Sequence, residues 1–195
     1  MKILVTGSEG LIGVPVVKKL KEAGHVVQGY DKKTDPLQNI HNEESLMDAT
    51  KNKDVVVHLA GIPHPQGPAT PFPAYVRTNI DGTRNVLKAS IEMDVKRFIY
   101  SSSSAIYGYV FKEGEFTLDR MPPDWHWFYL LSKIGAELVI TEGSKQSKIE
   151  VAILRVYPVN DEWLFHSGVD VVAKKVLSVA EAPEVRGVLI EDVKI

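Results

Sequence analysis

Apolar residues recur along this chain with two alternating periods, and the alternation predicts the fold class. Lys2 to Thr6, Val26 to Tyr30, Asp54 to Leu59, Lys96 to Tyr100, Glu150 to Val156 and Gly187 to Glu191 read as strands. The DVVVHL run at Asp54 to Leu59 is nearly all apolar, as expected of a parallel strand covered on both faces. Between these runs, Leu11 to Ala23, Glu43 to Lys51, Phe72 to Met93, Trp127 to Ser147 and Val169 to Ala182 carry helical recurrence. Asn42 is placed to cap the second helix, and a short extra strand is expected around Gln38 to Ile40. In the third helix Val76, Ile80, Thr83, Leu87 and Ile91 are the inward candidates, with Asn79 interrupting the pattern near Gly82. Ile62 to Pro73, with five prolines, reads as a loop, and His64 within it as a loop residue. Gly108 to His126 reads as an irregular loop over a site at the C-terminal edge of the sheet. Strand and helix alternate throughout, so the expected fold is α/β: a Rossmann-type doubly wound parallel sheet with helices on both faces.

The first turn of that pattern carries chemistry. Gly7, Gly10 and Gly13 follow the first strand at three-residue spacing and open the first helix. A glycine at such a turn allows positive φ, a second lets backbone approach a diphosphate, and a third lets the helix lie close to the sheet. The N–H groups and dipole of the helix N-terminus then attract phosphates. Asp31 falls at the end of the second strand, where an acidic residue accepts hydrogen bonds from an adenosine ribose and repels a 2′-phosphate. That favours NAD over NADP, although Lys32 and Lys33 follow at once. Ala60 and Gly61 end the third strand with small residues, where a cofactor could pass.

Composition narrows the class. At 195 residues the chain suits one domain with a real core, spanning 1–195. Hydrophobic residues are 44% and charged residues 25%, as in ordinary globular proteins. A net charge of −2 gives no electrostatic reason to expect nucleic acid or an anionic membrane. With no cysteine, disulfides, thiolate catalysis and cysteine–metal sites are excluded, and no metal site is expected. No apolar run reaches membrane-spanning length, and Met1-Lys2 leads straight into a strand, so a cytoplasmic protein is the default.

Tyr129 and Lys133 lie four apart on one helix and share a face. A lysine ammonium beside a phenol favours the phenolate, which makes tyrosine a usable acid/base nearer neutral pH. Ser101 to Ser104, after the fourth strand, supply a serine able to bond the same substrate oxygen.

Together these stretches resemble a short-chain dehydrogenase/reductase of the extended, NAD-dependent epimerase/dehydratase type. The matching residues are TGSEGLIG at Thr6 to Gly13, Asp31, HLAG at His58 to Gly61 and NIDGTRNVL at Asn79 to Leu87. RFIYSSSSAIYG at Arg97 to Gly108, YLLSK at Tyr129 to Lys133 and ILRVYP at Ile153 to Pro158 continue the series in order. The resemblance implies Tyr129 as acid/base, Lys133 holding the nicotinamide ribose, and Ser103 as the substrate-oxygen serine. It implies that Asn79 keeps the active-site helix and a proton-relay water in place. Gly7, Gly10, Ile12, Asp31, Ile40, Ala60 and Gly61 would line NAD, with Leu11, Gly13 and Leu59 beside them. The expected substrate is a small carbohydrate-type molecule. The family's usual pairing through two helices, here Phe72 to Met93 and Trp127 to Ser147, implies a homodimer.

Two departures refine this expectation. Ser104 and Ala105 stand where the dehydratase branch carries an acidic pair, so dehydration is disfavoured. After Tyr157 comes Pro158-Val159-Asn160, and only Asp161 to Gly168, with Trp163 and His166, precedes the next helix. The substrate lobe is thus expected to be much reduced, leaving 161–195 as a residual C-terminal segment and resembling compact uronate-type dehydrogenases. The leading expectation is an NAD-dependent oxidoreductase or epimerase for a sugar, sugar acid or nucleotide sugar. The alternative is a non-catalytic NAD-binding sensor or interaction module.

Overall fold

Side-chain alternation along the strands sorts the interior into two apolar layers. In the computed structural model, which describes residues 1–63, 70–107, 124–157 and 162–194, six parallel strands form one sheet. They are β1 (Lys2–Thr6), β2 (Val26–Tyr30), β3 (Val55–His58), β4 (Arg97–Ser103), β5 (Glu150–Val156) and β6 (Val188–Val193), in the order β2-β1-β3-β4-β5-β6. Ile3, Val5, Val55, Val57, Ile99, Ala152 and Leu154 face one side, against α1 (Gly13–Glu22) and α6 (Glu162–Glu181). Leu4, Val56, Phe98, Tyr100, Val151 and Ile153 face the other, toward α2 (Glu43–Thr50), α4 (Gly82–Glu92) and α5 (Asp124–Ser144). Period-two alternation explains why each buried strand is apolar on both faces. The expected Rossmann-type sheet is present.

The chain leaves β1 for β2 on one side and returns to β3 on the other. That reversal opens a crevice at the carboxyl ends of β1 and β3, where ligands sit in doubly wound sheets.

Four local expectations are corrected. No strand forms at Gln38 to Ile40, so β2 is the sheet edge. The segment turns on itself instead: Gln38 N donates to Asp35 O (2.9 Å), Asn42 N to Asn39 O (2.8 Å), and Asn39 Oδ1 accepts from His41 N (3.1 Å). Asn and Asp side chains favour such turns over a ladder. The long helix over Phe72 to Met93 is three pieces: α3 (Phe72–Tyr75), a π segment (Val76–Asp81) and α4. The π segment sits where Asn79 turns its amide to the chain after β3. β4 extends to Ser103, because Ser101, Ser102 and Ser103 pair in register with Leu154, Arg155 and Val156. α6 begins at Glu162, so the stretch expected to stand in for a substrate lobe is mostly helix. Asn42 does cap α2, accepting from Ser45 N at 3.2 Å. His64, the segment from Gly108 to residue 123, Pro158 to Asp161, and the side chains of Trp163 and His166 lie outside the described residues.

Among the described residues no helix is long and apolar enough to cross a membrane. One buried cation was not anticipated: Arg97 Nε donates to Glu150 Oε2 (2.7 Å), and its Nη1 donates to the carbonyls of Val179 (2.6 Å) and Ala180 (2.9 Å) near the end of α6. A guanidinium there satisfies carbonyls left open at a helix C-terminus.

Candidate functional site

The glycine turn is shaped by backbone crossing backbone. Gly7 has φ +72°, and a Cβ there would stand 2.7 Å from Ala60 N. The turn therefore lies directly on the chain leaving β3, and only glycine fits. Gly13 serves the same crowding: a Cβ on it would come 2.1 Å from Gly7 O. The third glycine thus admits the turn's own backbone, whereas the expectation was helix-to-sheet contact. Gly10 N donates to Gly7 O (3.0 Å) and Val14 N to Gly10 O (3.1 Å). Between them, the amides of Leu11, Ile12 and Gly13 meet no acceptor among the described residues, and the Leu11 side chain is exposed. Three open N–H groups at the start of α1 form a candidate site for an anion.

Asp31 stands beside this turn. Its Oδ2 accepts from Glu9 N (3.0 Å) and its Oδ1 from Lys33 N (2.9 Å), so it steadies the turn and retains further lone pairs. Lys33 Nζ donates to Glu9 O at 3.3 Å. Leu59 and Ala60 are half-buried and Gly61 is exposed at the crevice. Ile40 has its side chain in the core, and its carbonyl accepts from Asn85 Nδ2 (3.1 Å).

The acid/base candidates meet at the adjacent strand ends. Tyr129 is buried on α5 and hydrogen-bonded to Ser103, the last residue of β4. Lys133 Nζ lies 5.8 Å from the centre of the Tyr129 ring, but its hydrogen bonds go elsewhere, to Ser101 O (2.8 Å) and Tyr100 Oη (3.2 Å). The expected depression of the Tyr129 pKa is not present. Burial holds the phenol above the ordinary tyrosine value, and the Ser103 hydrogen bond only partly opposes this. Burial pushes Lys133 down to about 8, while the Glu137 carboxylate pulls it up.

Asn79 is fully engaged with protein. Its Oδ1 accepts from Ile62 N (2.7 Å), and its Nδ2 donates to Ile62 O (3.1 Å) and to Ser132 Oγ (2.9 Å). It ties the chain after β3 to α5 one residue before Lys133.

Two buried networks were missed from sequence. Glu137, one turn beyond Lys133, accepts from Ser102 Oγ (2.5 Å) and from Arg155 Nη2 (2.7 Å). Arg155 also donates to Tyr107 Oη (3.0 Å), which donates to Asp192 (2.6 Å). The i, i+4 spacing of Lys133 and Glu137 was the available signal. The second network runs through His58. Thr83 Oγ1 donates to Asn79 O (2.6 Å), so it accepts from His58 Nε2 (3.0 Å). His58 Nδ1 is then the acceptor for Thr6 Oγ1 (2.7 Å). Nothing in the sequence pattern marks His58 except its place at the end of an apolar strand.

Comparison with known proteins settles the family. A family model described as NAD dependent epimerase/dehydratase matches residues 3–176. The chain belongs to that family. One family-level relative is UDP-glucose 4-epimerase of Vibrio cholerae, 33% identical over 170 residues, 78% of this chain and 50% of that protein. Protein CapI of Staphylococcus aureus is 30% identical over 190 residues, 84% of this chain and 55% of that protein. The chain thus spans about half the length of these curated relatives. Among solved structures, MoeE5 in complex with UDP-glucuronic acid and NAD has the same fold, with a TM-score of 0.77 at 23% identity over 99% of this chain and 76% of that one. An NAD-dependent family suits what the crevice offers: a turn only glycine can make, three open amides at a helix start, and a carboxylate beside them.

His58 gives the fold a pH dependence. Burial, aided by the Lys133 charge, pushes it down to about 3, against an unfolded value of about 6.5. The unfolded chain binds the extra proton between those values, so stability present above pH 6.5 is lost as pH falls toward 3. Urea unfolding of the unmodified protein should lose about 2 kcal/mol between pH 7 and 5 from this group. His58→Gln should remove that part of the slope; parallel pH curves for the two proteins would contradict it.

Proposed function

We propose that this chain is an NAD-dependent oxidoreductase or epimerase acting on a sugar, sugar acid or nucleotide sugar, with Tyr129 as the acid/base. The observation that carries the reading is the convergence of Ser103, Tyr129 and Lys133 at the same sheet end as the glycine turn. The relative named for UDP-glucose and the structure holding UDP-glucuronic acid support a sugar-nucleotide or sugar-acid substrate.

In this reading the amides of Leu11 and Ile12 and the start of α1 hold the diphosphate of NAD, and Asp31 holds the adenosine ribose. Gly7, Gly10, Ala60 and Gly61 keep the crevice clear of side chains, and Lys133 donates to the nicotinamide ribose. NAD, when bound, supplies the two-electron acceptor. Tyr129 exchanges a proton with the substrate's hydroxyl or carbonyl oxygen, and Ser103 donates to that oxygen. At neutral pH Tyr129 keeps its proton, the form that donates. Its turn as a base draws on the nearby Lys133 charge. Asn79 holds α5 and the chain after β3 in fixed relation. With Ser104 and Ala105 after Ser103, dehydration is not part of the proposal.

We further propose a homodimer through α4 and α5. Leu131 and Leu138, seven residues apart on α5, are 46% and 59% exposed, and a two-fold pairing of these helices would cover them. Light scattering should give twice the 21.7 kDa chain mass at micromolar concentration, and Leu138→Glu should lower it. A monomer mass for the unmodified protein would overturn the dimer.

The catalytic reading is tested by screening sugars, sugar acids and nucleotide sugars for NADH formation and for epimerised product. Tyr129→Phe keeps the ring and removes the transferable proton, so turnover should fall by about 10²–10⁴-fold with NAD affinity nearly unchanged. Ser103→Ala should lower turnover alone, and Lys133→Met should lower both turnover and affinity. If no substrate gives a Tyr129-dependent signal while NAD still binds, the chain is a sensor and the enzyme reading falls.

A further inference from the structure

Behind Lys133 lies a chain of buried polar groups that the mechanism above does not use. The ammonium has three protons. One goes to Ser101 O, whose position is fixed by the β4–β5 ladder, and one to Tyr100 Oη on the same strand. Two fixed acceptors set the direction of the third N–H of a tetrahedral group. The Tyr100 ring also lies under Nζ, 4.8 Å from its centre.

The Tyr100 hydroxyl can serve only if it presents a lone pair. His58 stacks on its ring, 5.7 Å between centres, and Thr83 stands beside both. The single Thr83 proton is given to Asn79 O, so its oxygen accepts from His58 Nε2 and has no proton for Tyr100. The Tyr100 oxygen in turn presents a lone pair to the Lys133 ammonium at 3.2 Å. His58, closed at its far side by Thr6, fills a lone pair of Thr83 and stays neutral. From Thr6 through His58 and Thr83 to Asn79 each proton has one place.

We propose that Tyr100, backed by Thr83 and His58, is a positioning residue that aims the Lys133 ammonium and helps keep it protonated. The proposal rests on the reading of Lys133 as the residue that holds the nicotinamide ribose. Other titratable groups act on the same ammonium. Glu137 on α5 attracts it, and Arg155 from β5 is occupied by Glu137 and Tyr107. Tyr129 on α5 and Tyr75 of α3, edge-on to it, are neutral phenols with raised pKa values. Among these, the Tyr100 hydroxyl is the neutral group that meets the ammonium directly. Its removal favours the uncharged amine, in a site where burial already holds Lys133 near 8.

The test is an NMR titration of the full chain labelled at lysine, without added ligand, with the Lys133 signal identified by its loss in Lys133→Met. Tyr100→Phe, which removes one oxygen, should lower the Lys133 midpoint by about one pH unit. Thr83→Val should lower it by less, and Thr83→Ser, which restores the hydroxyl, should leave it unchanged. A midpoint unmoved in both Tyr100→Phe and Thr83→Val overturns the proposal. Calorimetry of NAD binding against pH is the second arm: the pH at which affinity is lost should move down with the Lys133 midpoint. An unmodified chain that takes up no NAD would overturn the cofactor reading, while the NMR titration still decides whether Tyr100 positions Lys133.

Discussion

At the switch point of the sheet two backbones run closer together than any side chain allows. Gly7, with positive φ, rests on the peptide between Leu59 and Ala60, and Gly13 rests on Gly7. Much of the candidate site follows from that contact. It fixes the start of α1 with three amides that meet no acceptor among the described residues, and it sets the end of β3 beside them. From there Ile62 is held by Asn79, and Asn79 holds Ser132 on the helix that carries Tyr129 and Lys133. The glycine turn and the Tyr129–Lys133 pair are thus connected by three residues and their hydrogen bonds.

The polar interior on the α4–α5 side does related work. An apolar core would be easier to pack, because buried polar atoms are costly unless satisfied. Here His58, Thr83, Tyr100 and Lys133 satisfy one another, and Glu137 is held by Ser102 and Arg155. Satisfied networks of this kind have few alternative arrangements. That is a reason for buried ionisable groups to sit behind a site that must hold its geometry.

The sheet was legible in the sequence because parallel strands covered on both faces are apolar runs, and Val55, Val56 and Val57 leave little choice. The places of the glycine turn, Asp31, Tyr129 and Lys133 were legible because each is set by spacing along one element. The missing strand at Gln38 was misjudged because side-chain-to-backbone turns of Asp35 and Asn39 compete locally with a ladder. The π segment was hidden because it depends on Asn79 bonding a residue 17 positions away. Distance in sequence also hid Tyr100, His58 and Arg155, whose partners come from other strands and helices. The expected Lys133 effect on Tyr129 failed for a related reason: spacing places the two on one face, but only the fold shows that Tyr100 and Ser101 take the ammonium's hydrogen bonds.

The central claim is that the crevice built on Gly7 is a site for NAD. Calorimetric titration of the unmodified chain with NAD and with NADP tests it most directly. The account predicts one NAD per chain, bound more tightly than NADP because the Asp31 carboxylate opposes a 2′-phosphate, and loss of binding in Gly7→Val. No heat with NAD, or tighter binding of NADP, would contradict it.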